Sequence, residues 1–219
     1  MVKAVRTTQC QHPRGWLGRF VLRNMNKRHS ALTDWGLSHI AIGKTDIVLD
    51  VGCGGGRTIS KLAAIATEGK VYGVDYSAES VAMAARTNRD SIASGRVEIR
   101  EASVSRLPFA ADMFDVVTAV ETHFWWPDLA GDMREVRRVV KPGGRLILIA
   151  EIYKGATTRT ARLTEKYAHL SGITLLSVSE HRELFVNAGY REVEIFEEPA
   201  KGWICGVGRK SDEDAPGIG

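Results

Sequence analysis

Val48-Leu49-Asp50-Val51-Gly52-Cys53-Gly54-Gly55-Gly56-Arg57-Thr58 is the stretch on which the reading of this chain turns. A short apolar run enters a glycine-rich turn, and residues spaced as on a helix follow from Ile59 to Ala66. Glycines let backbone N–H groups approach a ligand closely and tolerate conformations that side chains disfavour. Nucleotide, flavin and sulfonium cofactors all use a turn of this kind, and three details narrow the choice. Asp50 stands before the glycines, where a carboxylate would repel the pyrophosphate of a dinucleotide but can hold an ammonium group, directly or through water. A dinucleotide fingerprint starting at Gly52 requires a third glycine at position 57, which is Arg57 here. Asp75 ends the next strand, 23 residues after Gly52, placed to accept hydrogen bonds from a ribose. That aspartate alone would suit a nicotinamide dinucleotide equally well.

Working outward, the sequence alternates strand and helix. Strands are predicted at Ile47–Leu49, Val71–Val74, Val97–Arg100, Phe114–Val120 and Arg145–Ala150, with helices at Ile59–Ala66, Ala78–Arg89 (N-cap Ser77) and Leu129–Val140. Lys141-Pro142-Gly143-Gly144 reads as the stop after the last of these. The run Leu146-Ile147-Leu148-Ile149-Ala150 suits a central strand covered on both faces. Residues 152–178 interrupt the rhythm as an extra helix or lid. A capping box, Ser177 with Glu180, opens a helix ending near Gly189. Strands at about Glu192–Phe196 and Trp203–Val207 follow. The pattern predicts a doubly wound α/β domain with an antiparallel finish. Its predicted organisation is an N-terminal arm and helical cap (1–45), a main domain (46–210) and an acidic, disordered tail (211–219). One or two helices are expected between Trp16 and Gly43.

Composition sets bounds. With 219 residues, 44% apolar and 26% charged, the chain is sized and composed for one globular domain. No run approaches the ~18 apolar residues of a membrane span, and Met1–Phe20 lacks the apolar core of a secretory signal. Three cysteines, Cys10, Cys53 and Cys205, fit neither a disulfide framework nor a zinc pattern. The expectation is a cytoplasmic protein with no membrane contact and no metal. Residues 1–46 hold eight Lys/Arg against two acids, whereas the remaining 22 basic and 24 acidic residues leave a balance of −2. Such a basic end can serve nucleic acid, although a solvated basic helix face explains it as well.

Asp50-Val51-Gly52-Cys53-Gly54-Gly55-Gly56 resembles the D-x-G-x-G-x-G signature of the class I S-adenosylmethionine-dependent methyltransferases. Four further segments resemble the family in its own order: Val71–Ser77 with the acid Asp75; Glu101-Ala102-Ser103 followed by Leu107-Pro108-Phe109; Phe114-Asp115-Val116-Val117; and Lys141–Leu146. Glu101 replaces the more usual Asp. The resemblance covers about residues 46–208 and implies a seven-stranded Rossmann-like sheet whose last strand is antiparallel. It implies S-adenosylmethionine as cofactor, with S-adenosylhomocysteine as product. It also implies that Gly52 and Gly54 pass under the methionyl part, Asp75 holds the ribose, Tyr76 packs on adenine, and Glu101 with Ala102 faces the amino edge. Asp50, Gly56, Ser103 and Val120 complete the expected cofactor set.

The methyl acceptor should lie where the fourth strand ends, at Glu121-Thr122-His123-Phe124-Trp125-Trp126-Pro127-Asp128. His123, whose ordinary pKa of ~6.5 suits proton abstraction, is the candidate base, with Glu121 as a positioning carboxylate. Phe124, Trp125 and Trp126 can form an aromatic wall or simply pack beneath the loop. His29, in the stretch Asn24–His29 expected to cover the cofactor, is a weaker candidate. Glu151 and Tyr153 are expected to line the acceptor cavity, and Tyr167, His169 and His181 to be ordinary helix residues. No Asn/Asp-Pro-Pro-aromatic element for a flipped DNA base follows the fourth strand. No cysteine is placed for carbon-5 pyrimidine chemistry, and no metal triad is present. A small-molecule acceptor and a monomer or homodimer are therefore expected. The competing expectations are an RNA methyltransferase using the basic N-terminal region, a non-catalytic S-adenosylmethionine-binding protein and a nicotinamide-dependent oxidoreductase.

Overall fold

A computed structural model describes residues 30–214. The predicted arm, the helix expected from Trp16, the Asn24–His29 stretch with His29, and the last residues of the tail lie outside them.

The described chain forms one sheet of seven strands: β1 (Ile47–Val51), β2 (Lys70–Asp75), β3 (Val97–Glu101), β4 (Phe114–Val120), β5 (Val140–Ala150), β6 (Arg191–Glu198) and β7 (Trp203–Arg209), in the order β3-β2-β1-β4-β5-β7-β6. Strands β1 to β5 are mutually parallel, and β7 runs antiparallel to both β5 and β6. Among the described residues seven helices flank it: α1 (Ser30–Leu37), α2 (Arg57–Ile65), α3 (Ala78–Thr87), α4 (Arg89–Ala93), α5 (Leu129–Val139), α6 (Arg159–Ser171) and α7 (Val178–Asn187). No helix among the described residues is long and apolar enough to cross a membrane.

The pleat distributes each strand's apolar residues between two cores. Val48, Val71, Val116 and Ile147 join Leu32 of α1, Ile59 and Leu62 of α2 and Ala84 of α3. Leu49, Tyr72, Val117 and Leu148 join Met133 and Val136 of α5 and Phe185 of α7 on the other face. Burial on both sides explains why these strands read as continuous apolar runs rather than alternating ones. The chain steps outward from β1 to β2 and β3, then returns to place β4 on the other side of β1. The order therefore reverses between β1 and β4, and a crevice opens at their C-terminal ends.

Several boundaries differ from the sequence reading. The helix expected to run to Gly43 ends at Leu37, where the Ser38 hydroxyl turns back to the Trp35 carbonyl at 2.7 Å. The helix expected through Arg89 breaks at Asn88, whose amide donates to the Gly56 and Ala84 carbonyls at 2.9 Å each, and α4 starts afresh beyond it. The Lys141–Gly144 stop belongs to β5, because pairing shifts from Phe114↔Val140 to Val116↔Arg145 and the extra residues bulge out of the ladder. At the predicted tail, Asp212–Asp214 forms a 3-10 turn in which Asp212 pairs with Arg209 at 2.6 Å.

Candidate functional site

At the crevice lies a cavity of about 330 Å³. Val51 and Gly52 come from the end of β1, Val74, Asp75 and Tyr76 from the end of β2, and Ala102, Ser103 and Val104 from beyond β3. Thr122, Trp125, Trp126 and Pro127 come from the turn after β4. The sequence places these residues together by topology, since each follows a strand that ends at the same edge.

The glycine turn is fixed by backbone. Gly52 has φ of 72°, and the Gly52 and Cys53 amides both donate to the Val74 carbonyl, at 2.8 and 2.9 Å. A Cβ on Gly52 would run into the Thr122 hydroxyl, so only glycine leaves the β4 turn its place. Gly54, with φ of 51°, donates its amide to Asp75 at 2.9 Å. Gly56, the N-cap of α2 with φ of 78°, lies against α3, where a Cβ would approach the Ala84 Cα to 2.7 Å. Gly56 thus serves helix packing and is not on the cavity wall.

Two carboxyls sit behind the turn. Asp50 is 2% exposed and accepts from the Thr118 hydroxyl at 2.7 Å. Burial pushes its pKa up to about 7, with the Asp75 charge adding to the rise and the Thr118 bond opposing it. Asp75 accepts from the Gly54 and Ser77 amides at 2.9 Å each, and burial raises its pKa as well. Tyr76 stands half-exposed at the rim. Glu101 is exposed at the end of β3, in register with Asp75, while the Ala102 amide donates to the Asp75 carbonyl at 3.0 Å. Of the ten residues expected at the cofactor, Gly52, Asp75, Tyr76, Ala102 and Ser103 border the cavity. Asp50, Gly54, Gly56, Glu101 and Val120 do not, and Val120 packs instead with the α1–α3 core.

The expected catalytic residues are placed differently. Glu121 has φ of 58°; its amide donates to the Ile149 carbonyl at 2.8 Å, and its carboxylate accepts from the Glu151 amide. His123 opens a 3-10 turn (His123–Trp125), is 2% exposed and does not border the cavity. Its Nε2 lies 3.2 Å from Nε2 of His181, and burial, then the neighbouring imidazole, holds its pKa well below the ordinary value. The ring meets His181 rather than the cavity. Tyr153 does not border this cavity; it is buried beside Ala150, Ala161 and Ile204, its hydroxyl donates to Glu197 at 2.7 Å, and it lines a separate, more open cleft with Lys154, Ser177 and Glu183. Trp126 does both things considered for it, bordering the cavity and packing into the main core.

The sequence reading gives no individual role to Val51, Val74, Val104, Thr122 or Pro127, all of which border the cavity, and takes His181 as an ordinary helix residue. Thr122 carries a signal in its place two residues after the end of the fourth strand, between the titratable and aromatic neighbours that the sequence reading singles out.

A family model described as a methyltransferase domain matches residues 49–148. The chain is 33% identical over 150 residues to the methyltransferase GfsG of Streptomyces halstedii, a match covering 68% of this chain and 54% of that protein. It is 27% identical over 190 residues to a demethylmenaquinone methyltransferase of Oceanobacillus iheyensis, covering 77% of this chain and 79% of that enzyme. A solved S-adenosylmethionine-dependent methyltransferase from Aquifex aeolicus superposes with a TM-score of 0.71 at 19% identity, covering 86% of this chain and 96% of the other, a likeness of fold. The chain spans about half the length of several curated relatives it matches, 53% to 55%.

Proposed function

Because this chain carries, over residues 49–148, a methyltransferase domain of the class I S-adenosylmethionine-dependent type, we propose that it moves a methyl group from S-adenosylmethionine to a small-molecule acceptor, leaving S-adenosylhomocysteine. The observation that carries this reading is the cavity at the switch point, bordered by Gly52, Asp75, Tyr76, Ala102 and Ser103. The residues fit the group. The bare backbone of Gly52 leaves room where a Cβ could not stand. Both oxygens of Asp75 accept loop amides and keep further lone pairs for the ribose hydroxyls. Tyr76 would cover the adenine, and Glu101 with Ala102, beside Ser103, would meet its amino edge. Asp50, buried behind the turn and off the cavity wall, would meet the ammonium end through water. Arg57 in place of a third fingerprint glycine weighs against a nicotinamide dinucleotide.

When bound, the cofactor supplies a sulfonium methyl carbon activated for in-line displacement. The chain's own contribution is alignment, and well-oriented reactants gain ~7–11 kcal/mol that way. Glu121, whose carboxylate accepts from the Glu151 amide where β4 and β5 end, is the candidate positioning group for the acceptor. No proton transfer is assigned to His123. Support for a small acceptor comes from the Oceanobacillus relative, which acts on demethylmenaquinone by its name, and from the absence of a base-stacking element after β4.

Calorimetric titration with S-adenosylmethionine, S-adenosylhomocysteine and NAD tests the assignment. Micromolar binding of the sulfonium pair, lost in Asp75→Ala and absent for NAD, is expected. Binding of NAD in their place, or full affinity in Asp75→Ala, overturns it.

A further inference from the structure

His123 and His181 are 58 positions apart and meet through their Nε2 atoms at 3.2 Å, both rings almost wholly buried. The remaining nitrogens settle which atom carries each proton. His181 Nδ1 lies 2.8 Å from the Ser177 carbonyl, and a carbonyl only accepts, so that nitrogen carries its hydrogen. Burial keeps both rings neutral, against the pull of the Glu180 carboxylate near His181. Glu180 is itself bonded to the Ser177 amide at 2.7 Å and to Lys154 at 3.2 Å. The Nε2 of a neutral His181 is then bare and accepts, which requires His123 to donate from its own Nε2. The result is a one-way chain from His123 through His181 to the Ser177 carbonyl. His123 Nδ1 is left as a buried acceptor without a partner among the described residues.

The chain ends on an element that matters for the site. His123 belongs to the short turn whose neighbours Thr122, Trp125 and Trp126 border the cofactor cavity, and that turn is closed by the Trp125 amide on the Thr122 carbonyl at 2.9 Å. Such a turn has little hold of its own. Among the described residues, its polar ties to the elements around α7 include the His123–His181 bond and a backbone bond from the Thr174 amide, in the loop between α6 and α7, to the Phe124 carbonyl at 3.1 Å, beside the packing of Trp126 into the main core.

We propose that His181 is a positioning residue for the cofactor site: through its bond to His123 it holds the turn after β4 so that Thr122, Trp125 and Trp126 form one side of the cavity. This rests on the cavity being the S-adenosylmethionine site. Glutamine can copy both contacts, because its amide oxygen and nitrogen are spaced much as the two imidazole nitrogens are, one accepting and one donating. Methionine fills similar space and can do neither.

The test compares His181→Gln with His181→Met, reading S-adenosylhomocysteine affinity by calorimetry and amide hydrogen exchange over residues 120–128. His181→Met should weaken binding about tenfold and speed exchange in that segment, with His181→Gln close to wild type in both. Equal behaviour of the two variants would reduce His181 to a space-filling role and overturn the proposal. Two-bond nitrogen–proton spectra of the wild type, which need no variant to fold, should show His181 protonated at Nδ1 and His123 at Nε2. Any other pair of tautomers overturns it too. If the wild type bound no S-adenosylhomocysteine, the cofactor assignment would fail, while exchange and tautomers would still decide whether the pair holds the turn.

Discussion

At Gly52 two constraints meet: φ is 72°, and a Cβ would collide with the Thr122 hydroxyl. Gly95 has a similar φ of 78° with nothing within 4 Å of its absent Cβ, so it isolates the backbone effect. Gly95→Ala should cost about 1–2 kcal/mol in urea unfolding and leave S-adenosylhomocysteine affinity unchanged. Gly52→Ala should cost more than that and also weaken binding; matching losses at the two positions would show that Thr122 moves aside freely. Asp50 makes a pH prediction. Its buried carboxyl has a pKa near 7, against an ordinary 3.8, so between those values the native state keeps a proton that the unfolded chain has released. Its contribution to stability is therefore fully present below about pH 4 and is lost as pH rises towards 7. Asn can still accept from Thr118 and carries no such penalty. The stability of Asp50→Asn relative to wild type should rise from pH 5 to pH 8 in denaturant titrations, while cofactor affinity falls. A flat difference would place the Asp50 carboxyl in an ordinary, solvated state. The placement of Gly52 and Asp75 at the cavity was legible because residue type and spacing mark the ends of the first two strands. The burial of His123 against His181 was not legible, because it is decided by a residue 58 positions away in the chain.

The helix-opening capping box was visible as Ser177 followed three residues later by Glu180. The structure forms both of its bonds, the Glu180 amide to the Ser177 hydroxyl at 3.2 Å and the Ser177 amide to Glu180 at 2.7 Å. Hydrogen bonding to the carboxyl from the Ser177 amide and side chain, with Lys154 assisting, draws Glu180 down to about 2. Ser177→Ala should destabilise the protein by about 1 kcal/mol, read from the urea midpoint. It leaves the Ser177 carbonyl in place for His181, so cofactor affinity should change less than in His181→Met. A larger change in affinity than in that variant would mean the cap, not the histidine pair, holds the turn. β5 was less legible than this cap. Lys141-Pro142-Gly143-Gly144 has the composition of a turn, yet Gly144 sits where a Cβ would come within 2.9 Å of the Asp115 carbonyl and 3.0 Å of the Lys141 carbonyl. Lys141 meanwhile pairs with Asp115 at 2.7 Å. Close strand approach absorbs the turn into the ladder, and nothing local announces it.

Across the whole molecule, the order of the strand-end motifs was enough to predict the topology, because a doubly wound sheet carries every such segment to one edge. What the order could not convey is which helix closes behind which turn: α7 reaches the β4 turn across 58 positions. The cavity draws its border from the ends of β1 and β2 and from the segments after β3 and β4. A ligand seated there ties together elements on both sides of the point where the strand order reverses. Binding should therefore stabilise the sheet as one unit rather than a single loop. For a ligand that binds only the native state, a concentration a hundredfold above Kd adds about 2.7 kcal/mol. In a domain of this size that corresponds to a rise in Tm of roughly 5–10 °C. S-adenosylhomocysteine at that excess should produce such a rise in differential scanning calorimetry as one shifted transition, and NAD at the same concentration should produce none. Two transitions, only one of which moves, would instead mean that the β1–β3 side and the β4–β7 side unfold separately and that the ligand holds only one of them.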